Sequence, residues 1–405
     1  MKKIAVITMG VKLNHEKGYT RFRFLAEYLA KAGYQVDLIT TSFQHWEKEQ
    51  RDLDEIHQEE YPFRLKFIHE PGYKKNIDVE RIVSHHIASK NLKKMLEREG
   101  DYDLIYCEIP PNDVALVAAQ YAKKKGIPFV PDVNDLWPEA MHMIFDIPII
   151  SNILFCRFAH HAEKVYSMVS GIIGTSDEYR DRPLKRQQLN VPKATVYVGN
   201  EIAEFDAGVV EYSPTLTKGE EFWVSYAGTI GTSYDIRTLI LAGKELQKRG
   251  YDTIRIKILG SGPMKEELEQ LVTEQHCTNV EFVGYAAYPL MSAYLATSDI
   301  LVNSFVKKAP QSIVTKIGDY LAAGKPMINT CMSQEFRTKV TEDGFGVNVL
   351  PEDVTILADA IESLYQHPEQ REEMGIKARA IAIEQFDRPK SYAKIVTLIK
   401  ELIGE

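Results

Sequence analysis

Phe222-Trp223-Val224-Ser225-Tyr226-Ala227-Gly228-Thr229-Ile230-Gly231 decides the fold. Aromatic, β-branched and small residues run without a break and stop at a glycine, the pattern of a buried strand that gives way to a loop. Beyond it the period changes to that of a helix over 236–249. Strand-like 255–259 follows, Gly260-Ser261-Gly262-Pro263 interrupts the chain, and 264–274 reads as a second helix. The alternation continues: strands at 280–283, 300–302, 326–329 and 346–350, and helices at 289–296, 314–323, 354–366 and 390–402. Strands alternating with helices predict a parallel sheet covered on both faces.

The first half has the same rhythm. Strands are expected at 4–8, 35–40, 64–69, 104–107, 128–133, 171–175 and 195–198. Helices are expected at 20–32, with Phe24, Leu25, Tyr28 and Leu29 on one face, at 79–99 and at 113–125. Residues 200–221 are acidic and lack periodicity, so a domain boundary falls there. The fold class is therefore α/β, with two doubly wound Rossmann-like domains facing a cleft. They span 1–205 and 206–387.

A chain of 405 residues exceeds what one core usually fills, in agreement with two domains. Its 44% hydrophobic and 26% charged residues exclude a mainly disordered or collagen-like protein. The net charge of −8 argues against a nucleic-acid partner. Cys107, Cys156, Cys277 and Cys331 are scattered without C-x-x-C spacing, which excludes a zinc ribbon and a redox pair and fits a reducing compartment. The apolar N-terminus stops at Thr8, as a strand does and a signal peptide does not. The greasiest segment, 143–158, is interrupted by Asp146, Pro148, Ser151, Asn152 and Arg157 and is too short to span a bilayer. The expectation is a cytoplasmic protein that does not cross the membrane.

In open parallel sheets, ligands bind beyond the carboxyl ends of the strands. The loop after the first strand, Met9-Gly10-Val11-Lys12 through Gly18-Tyr19-Thr20-Arg21, lacks G-x-G-x-x-G, which weakens a nicotinamide enzyme. Gly260-Ser261-Gly262-Pro263 reads as a tight strand-to-helix turn more readily than as a phosphate loop. The richest stretch is Gln311-Ser312-Ile313-Val314-Thr315-Lys316-Ile317-Gly318-Asp319-Tyr320. A helix starting near Ser312 would offer free amides, and Lys316 and Asp319 would share one surface. A cation beside phosphate and a carboxylate on ribose describe a nucleotide site. A solvated Lys–Asp pair is the alternative from spacing alone.

Taken in order, Gly228-Thr229-Ile230-Gly231, Gly260-Ser261-Gly262-Pro263, 280–285 (VEFVGY) and 316–326 (KIGDYLAAGKP) resemble the C-terminal half of glycosyltransferase family 4. Asp135-Leu136-Trp137-Pro138-Glu139 adds a likeness to its bacterial surface-polysaccharide and O-antigen branch. The resemblance implies a retaining GT-B enzyme that uses a sugar nucleotide without a bound metal or other cofactor. It also implies a terminal helix, 388–405, that packs back on the first domain.

Departures from the family matter as much. Its E-x(7)-E becomes Gln311 and Asp319, so Asp319 would take the ribose and uncharged Gln311 the donor sugar. Its G-R-x(4)-K reads Gly228-Thr229…Tyr234 and loses both cations. Lys316 and the amides of Ser312, Ile313 and Val314 are the expected replacements at the diphosphate, with Lys307 and Lys308 behind them. Where the family often has an acceptor-side histidine, this chain has Asn134 next to Asp135. Gly10 and Gly18 would allow close backbone approach from the first domain, Gly228, Thr229 and Gly262 would border the donor, and Tyr285 would meet the base. The partners expected are a UDP-sugar donor, a glycan or lipid-linked acceptor, and an anionic membrane touched by Lys74, Lys75, Arg81, Lys90, Lys93, Lys94 and Arg98 together with 143–158. A UDP-sugar epimerase of the same fold and a non-catalytic sugar-nucleotide-binding subunit stay open.

Overall fold

The computed structural model describes the whole chain except residues 14–15, 17, 19, 57–59, 76–77, 138–149 and 310–312, with backbone only at 150–154, 182, 185 and 186. It divides into two compact units, Met1–Val196 with Tyr392–Glu405, and Tyr197–Ser391.

In the first unit the strands are β1 (Lys3–Ile7), β2 (Gln35–Thr41), a small hairpin of β3 (Phe43–Gln44) and β4 (Glu49–Gln50), then β5 (Arg64–Ile68), β6 (Leu104–Ile109), β7 (Phe129–Val133), β8 (Ile172–Gly174) and β9 (Lys193–Thr195). The main sheet runs β5-β2-β1-β6-β7-β8-β9, with neighbouring strands parallel. Ile4 and Val6 enter one apolar cluster and Ala5 and Ile7 the other, as period-2 alternation requires of a strand covered on both faces. The last helix, Ala393–Ile403, returns to this unit. Ile395, Leu398 and Ile399 pack with Ile4, Val6 and Phe22.

The second unit holds β10 (Phe222–Ala227), β11 (Ile254–Leu259), β12 (Val280–Gly284), β13 (Ile300–Asn303), β14 (Met327–Asn329) and β15 (Gly346–Asn348). They form one parallel sheet in the order β12-β11-β10-β13-β14-β15. Connections leave β10 toward one edge and β13 toward the other, so the crevice beside their carboxyl ends is the topological switch point, where such sheets take ligands.

Three expectations shift. Residues 200–221 are not featureless, because Ile202–Tyr212 is a helix whose Ile202 and Phe205 join the core of the second unit. The division therefore falls at 196/197 rather than at 205/206. The strand expected at 195–198 is Lys193–Thr195: β8 offers only Ile172, Ile173 and Gly174 as partners, and these pair with Lys193, Ala194 and Thr195. The helix expected near Ser312 begins at Lys316. Ile313 and Val314 are β-branched, which disfavours a helical turn. Ile313 is buried in the core, and Ile317 N and Gly318 N donate to the carbonyls of Val314 and Thr315.

Candidate functional site

The carboxyl ends of β10, β11 and β12 are laced together by backbone. Gly228 N donates to Leu259 O at 3.0 Å, Ile230 N to Ser261 O at 2.9 Å and Gly260 N to Gly284 O at 2.7 Å. Gly260 has φ +136, and a Cβ there would lie 1.9 Å from Gly228 O. A Cβ on Gly262 would lie 2.3 Å from Ile230 O. The room that Gly262 leaves is thus taken by its own chain, and the turn reading of 260–263 is the one the geometry follows. Thr229 and Tyr285 stand out from this base, Tyr285 at 71% exposure.

Lys316 opens the short helix Lys316–Ala322 just after the switch-point loop. Its stem is half-buried, but its nitrogen is sealed and has no hydrogen-bond partner among the described residues. The ammonium lies 4.3 Å from the ring centre of Tyr226, 4.6 Å from Tyr234, 5.1 Å from Phe305 and 5.7 Å from Tyr320. A cation over aromatic faces gains about 2 kcal/mol when desolvated, which offsets only part of the water it loses. Burial accordingly pulls the Lys316 pKa down to about 7. Gly228 makes room for this arrangement: a Cβ there would meet Tyr226 Oη at 3.1 Å and Lys316 Cδ at 3.7 Å. A cation thus reaches the Tyr234 ring from residue 316.

Asp319 does not pair with Lys316. It is buried, and its Oδ1 accepts from Asn200 Nδ2 at 2.9 Å and from Tyr288 Oη at 2.8 Å. Burial outweighs these hydrogen bonds and raises its pKa to about 6. The solvated Lys–Asp pair is therefore not what forms. Ile313 contributes its side chain to the core, and Val314 is half-buried with its carbonyl engaged by Ile317 N. Among the described residues the helix opens only at Lys316. Gln311 and Ser312 lie outside the described residues.

In the first unit, Asn134 and Asp135 follow β7 as expected. Asn134 Nδ2 donates to Asp132 O at 2.9 Å, and Asp135 Oδ1 accepts from Leu136 N at 2.8 Å. Gly10 and Gly18 lie against a side chain of their own unit. A Cβ on either would strike the Trp46 indole, at 3.1 Å and 2.3 Å, so the space they leave is filled by that ring. Trp46 sits in the β3–β4 hairpin with His45 and Lys48. Nearby, a cavity of about 550 Å³ is lined by Phe43, Lys48, Gln50, Tyr73 and Lys74 among others. Sequence reasoning missed Glu108, at the carboxyl end of β6. It is half-buried, accepts from Thr8 Oγ1 at 2.6 Å and Met9 N at 3.0 Å, and is pushed up to about 7 chiefly by desolvation. Its only signal was a carboxylate inside an otherwise apolar strand.

Comparison with known proteins adds family information. Residues 221–367 match the family model described as Glycosyl transferases group 1. Alpha-D-kanosaminyltransferase of Streptomyces kanamyceticus is 20% identical over 290 residues, covering 66% of this chain and 74% of that protein. Sucrose-phosphate synthase of Thermosynechococcus elongatus superimposes with a TM-score of 0.72 at 16% identity over 100% of both chains. Anabaena HepE, solved in complex with UDP, gives 0.70 at 15% identity over 99% of this chain and 100% of its own. The chain thus has the two-domain GT-B fold, and residues 221–367 within its second unit are similar to the group 1 glycosyl transferases.

Proposed function

We propose that this protein transfers a sugar from a nucleoside-diphosphate donor, a UDP-sugar in the first instance, to a glycan or lipid-linked acceptor, with retention of anomeric configuration. The observation that supports it most is the Lys316 ammonium. It lies beside the Gly228 loop and held by no carboxylate among the described residues. Departure of the nucleotide leaves growing charge on a diphosphate, and a preorganised cation in a water-poor site stabilises that charge far better than solvent does. In this reading Lys316 meets the diphosphate, Asp319 the ribose, exposed Tyr285 the base and Gln311 the donor sugar. Asn134 and Asp135 border the acceptor. The donor is a substrate, and the reading calls on no metal or resident cofactor.

The UDP found with Anabaena HepE supports that choice of nucleotide. A role in surface-polysaccharide assembly rests on the family resemblance. Contact with an anionic membrane would use the helix Val79–Glu99, where Val79, Ile82 and Val83 are exposed at its start and Lys90, Lys93 and Lys94 are exposed further along. Of the apolar segment 143–158, residues 143–149 lie outside the described residues and 150–158 are helical. No helix among the described residues is long and apolar enough to cross a membrane.

The test is a thermal-shift screen over nucleoside-diphosphate sugars, followed by release of free nucleotide with and without candidate acceptors. Stabilisation by a UDP-sugar and acceptor-dependent UDP release are expected. Turnover of the donor without any acceptor would instead identify an epimerase, and tight binding with no turnover a binding subunit. Asp319→Asn keeps the shape and removes the charge. A hydrogen bond to a charged group is worth about 1.5–3 kcal/mol, so donor affinity should fall about ten- to a hundredfold. Unchanged affinity in calorimetry would take Asp319 out of the site.

A further inference from the structure

We propose that Lys316 takes up a proton from solution when a nucleoside-diphosphate sugar binds, a step that rests on the donor reading above and adds to it. The groups facing Nζ explain why. Tyr226 comes from β10, Tyr234 from the loop after it, Phe305 from the loop after β13, and Tyr320 from the lysine's own helix. Cys331, after β14, is the other titratable group acting on it. Burial raises the pKa of all three phenols, so they are neutral near pH 7. The nearest carboxylate on the helix, Asp319, is committed to Asn200 and Tyr288.

Among the described residues the box therefore offers a cation π-electron density but no fixed negative charge, and Nζ has no acceptor. Near neutrality the free protein holds a mixture of amine and ammonium. Two phosphates arriving beside Gly228 and the exposed Thr229 change the balance. In a site of low dielectric their charge favours the ammonium strongly. The amine lone pair accepts one proton from the buffer, and no other bond forms or breaks. The site then needs no permanent buried charge while it is empty.

The experiment is titration calorimetry of the full chain with UDP-glucose, UDP-N-acetylglucosamine, GDP-mannose and dTDP-glucose. It is run at pH 6 and pH 8 in two buffers of different ionisation enthalpy. The phosphates of these donors are diesters and do not titrate in that range, so any net proton belongs to the protein. With a free-state pKa of about 7, Lys316 should take up about 0.1 proton per ligand at pH 6, where Asp319 titrates as well, and about 0.9 at pH 8, where Asp319 is ionised before and after binding. Affinity should be about tenfold weaker at pH 8. Lys316→Arg, a permanent cation, should bind without uptake and lose the pH dependence.

A donor that binds at pH 8 without uptake overturns the inference and leaves the donor reading intact. So does uptake that persists in Lys316→Arg or in Lys316→Met. Absence of binding by all four at both pH values overturns the donor reading, and this inference with it.

Discussion

Replacing Lys316 with methionine keeps much of the side chain's volume and removes a charge that burial disfavours. The folded pKa of about 7 lies below the ordinary 10.5, so the folded state binds fewer protons than the unfolded state between those values. The resulting cost is fully present below pH 7 and fades as pH rises toward 10.5. Lys316→Met should therefore stabilise the ligand-free protein by about 1–3 kcal/mol, more at pH 6.5 than at pH 9, while donor binding weakens at least tenfold. Urea denaturation at the two pH values and donor calorimetry check this. Loss of stability at pH 6.5 would mean that the cation is structural. Glu108 titrates with the opposite sign. Its folded pKa of about 7 stands above 4.5, so the wild type loses stability as pH rises through that window. Glu108→Gln, which retains an acceptor for Thr8 or Met9, should flatten the loss. The difference in unfolding free energy between the two proteins should change by on the order of 2–4 kcal/mol from pH 5 to pH 8.

The elements that carry these residues were legible in unequal measure. Strands β10 and β11 and the helix Val354–Gln366 announce themselves because a run of buried apolar residues or a helical stripe is a property of the local sequence. Gln334–Glu342 does not. It is a polar helix with only Phe336 and Val340 buried, started by Ser333, whose hydroxyl accepts from Phe336 N. The residues of the candidate site were partly legible as well. Lys316 stood out as a lone cation in a stretch with nucleotide-site chemistry, but its aromatic box gathers Tyr226, Tyr234 and Phe305 from separate loops and strands, which no local pattern reveals. The glycines were legible as necessary but not as to why: Gly10 and Gly18 yield to Trp46, and Gly260 and Gly262 to backbone. Gly260→Ala tests the last point. With φ +136 and a carbonyl where the methyl would go, it should cost more than the roughly 1 kcal/mol of an ordinary positive-φ glycine. The three strand ends should separate, and thermal denaturation should show a lowered Tm. A neutral outcome would mean that the loop 228–230 is free to move aside.

At the scale of the molecule, each unit has its own core, and the first is held at its centre by a buried charge. Arg21 Nε and Nη2 donate to Asp132 Oδ2 and Oδ1 at 2.8 and 3.0 Å, with both side chains fully buried. Tyr106 Oη donates to Asp132 Oδ2 at 2.7 Å, and Arg21 Nη1 to Tyr392 Oη at 3.2 Å. One bidentate pair thereby ties the helix Arg21–Lys31, β6, β7 and the returning C-terminal segment, which is distant in sequence. Such pairs are near neutral when replaced whole, but removing one partner strands the other charge at about 3–5 kcal/mol. Asp132→Ala should therefore unfold the first unit well before the second. Scanning calorimetry of the variant should show the composite transition split in two, the lower one carrying roughly half of the enthalpy because the units are of similar size. A nucleoside-diphosphate sugar should raise only the upper transition, since Lys316 and Asp319 both lie in the second unit. A ligand-dependent rise of the lower transition would place donor-binding groups in the first unit as well, and a single unshifted transition would mean that the Arg21–Asp132 pair does not hold its core together.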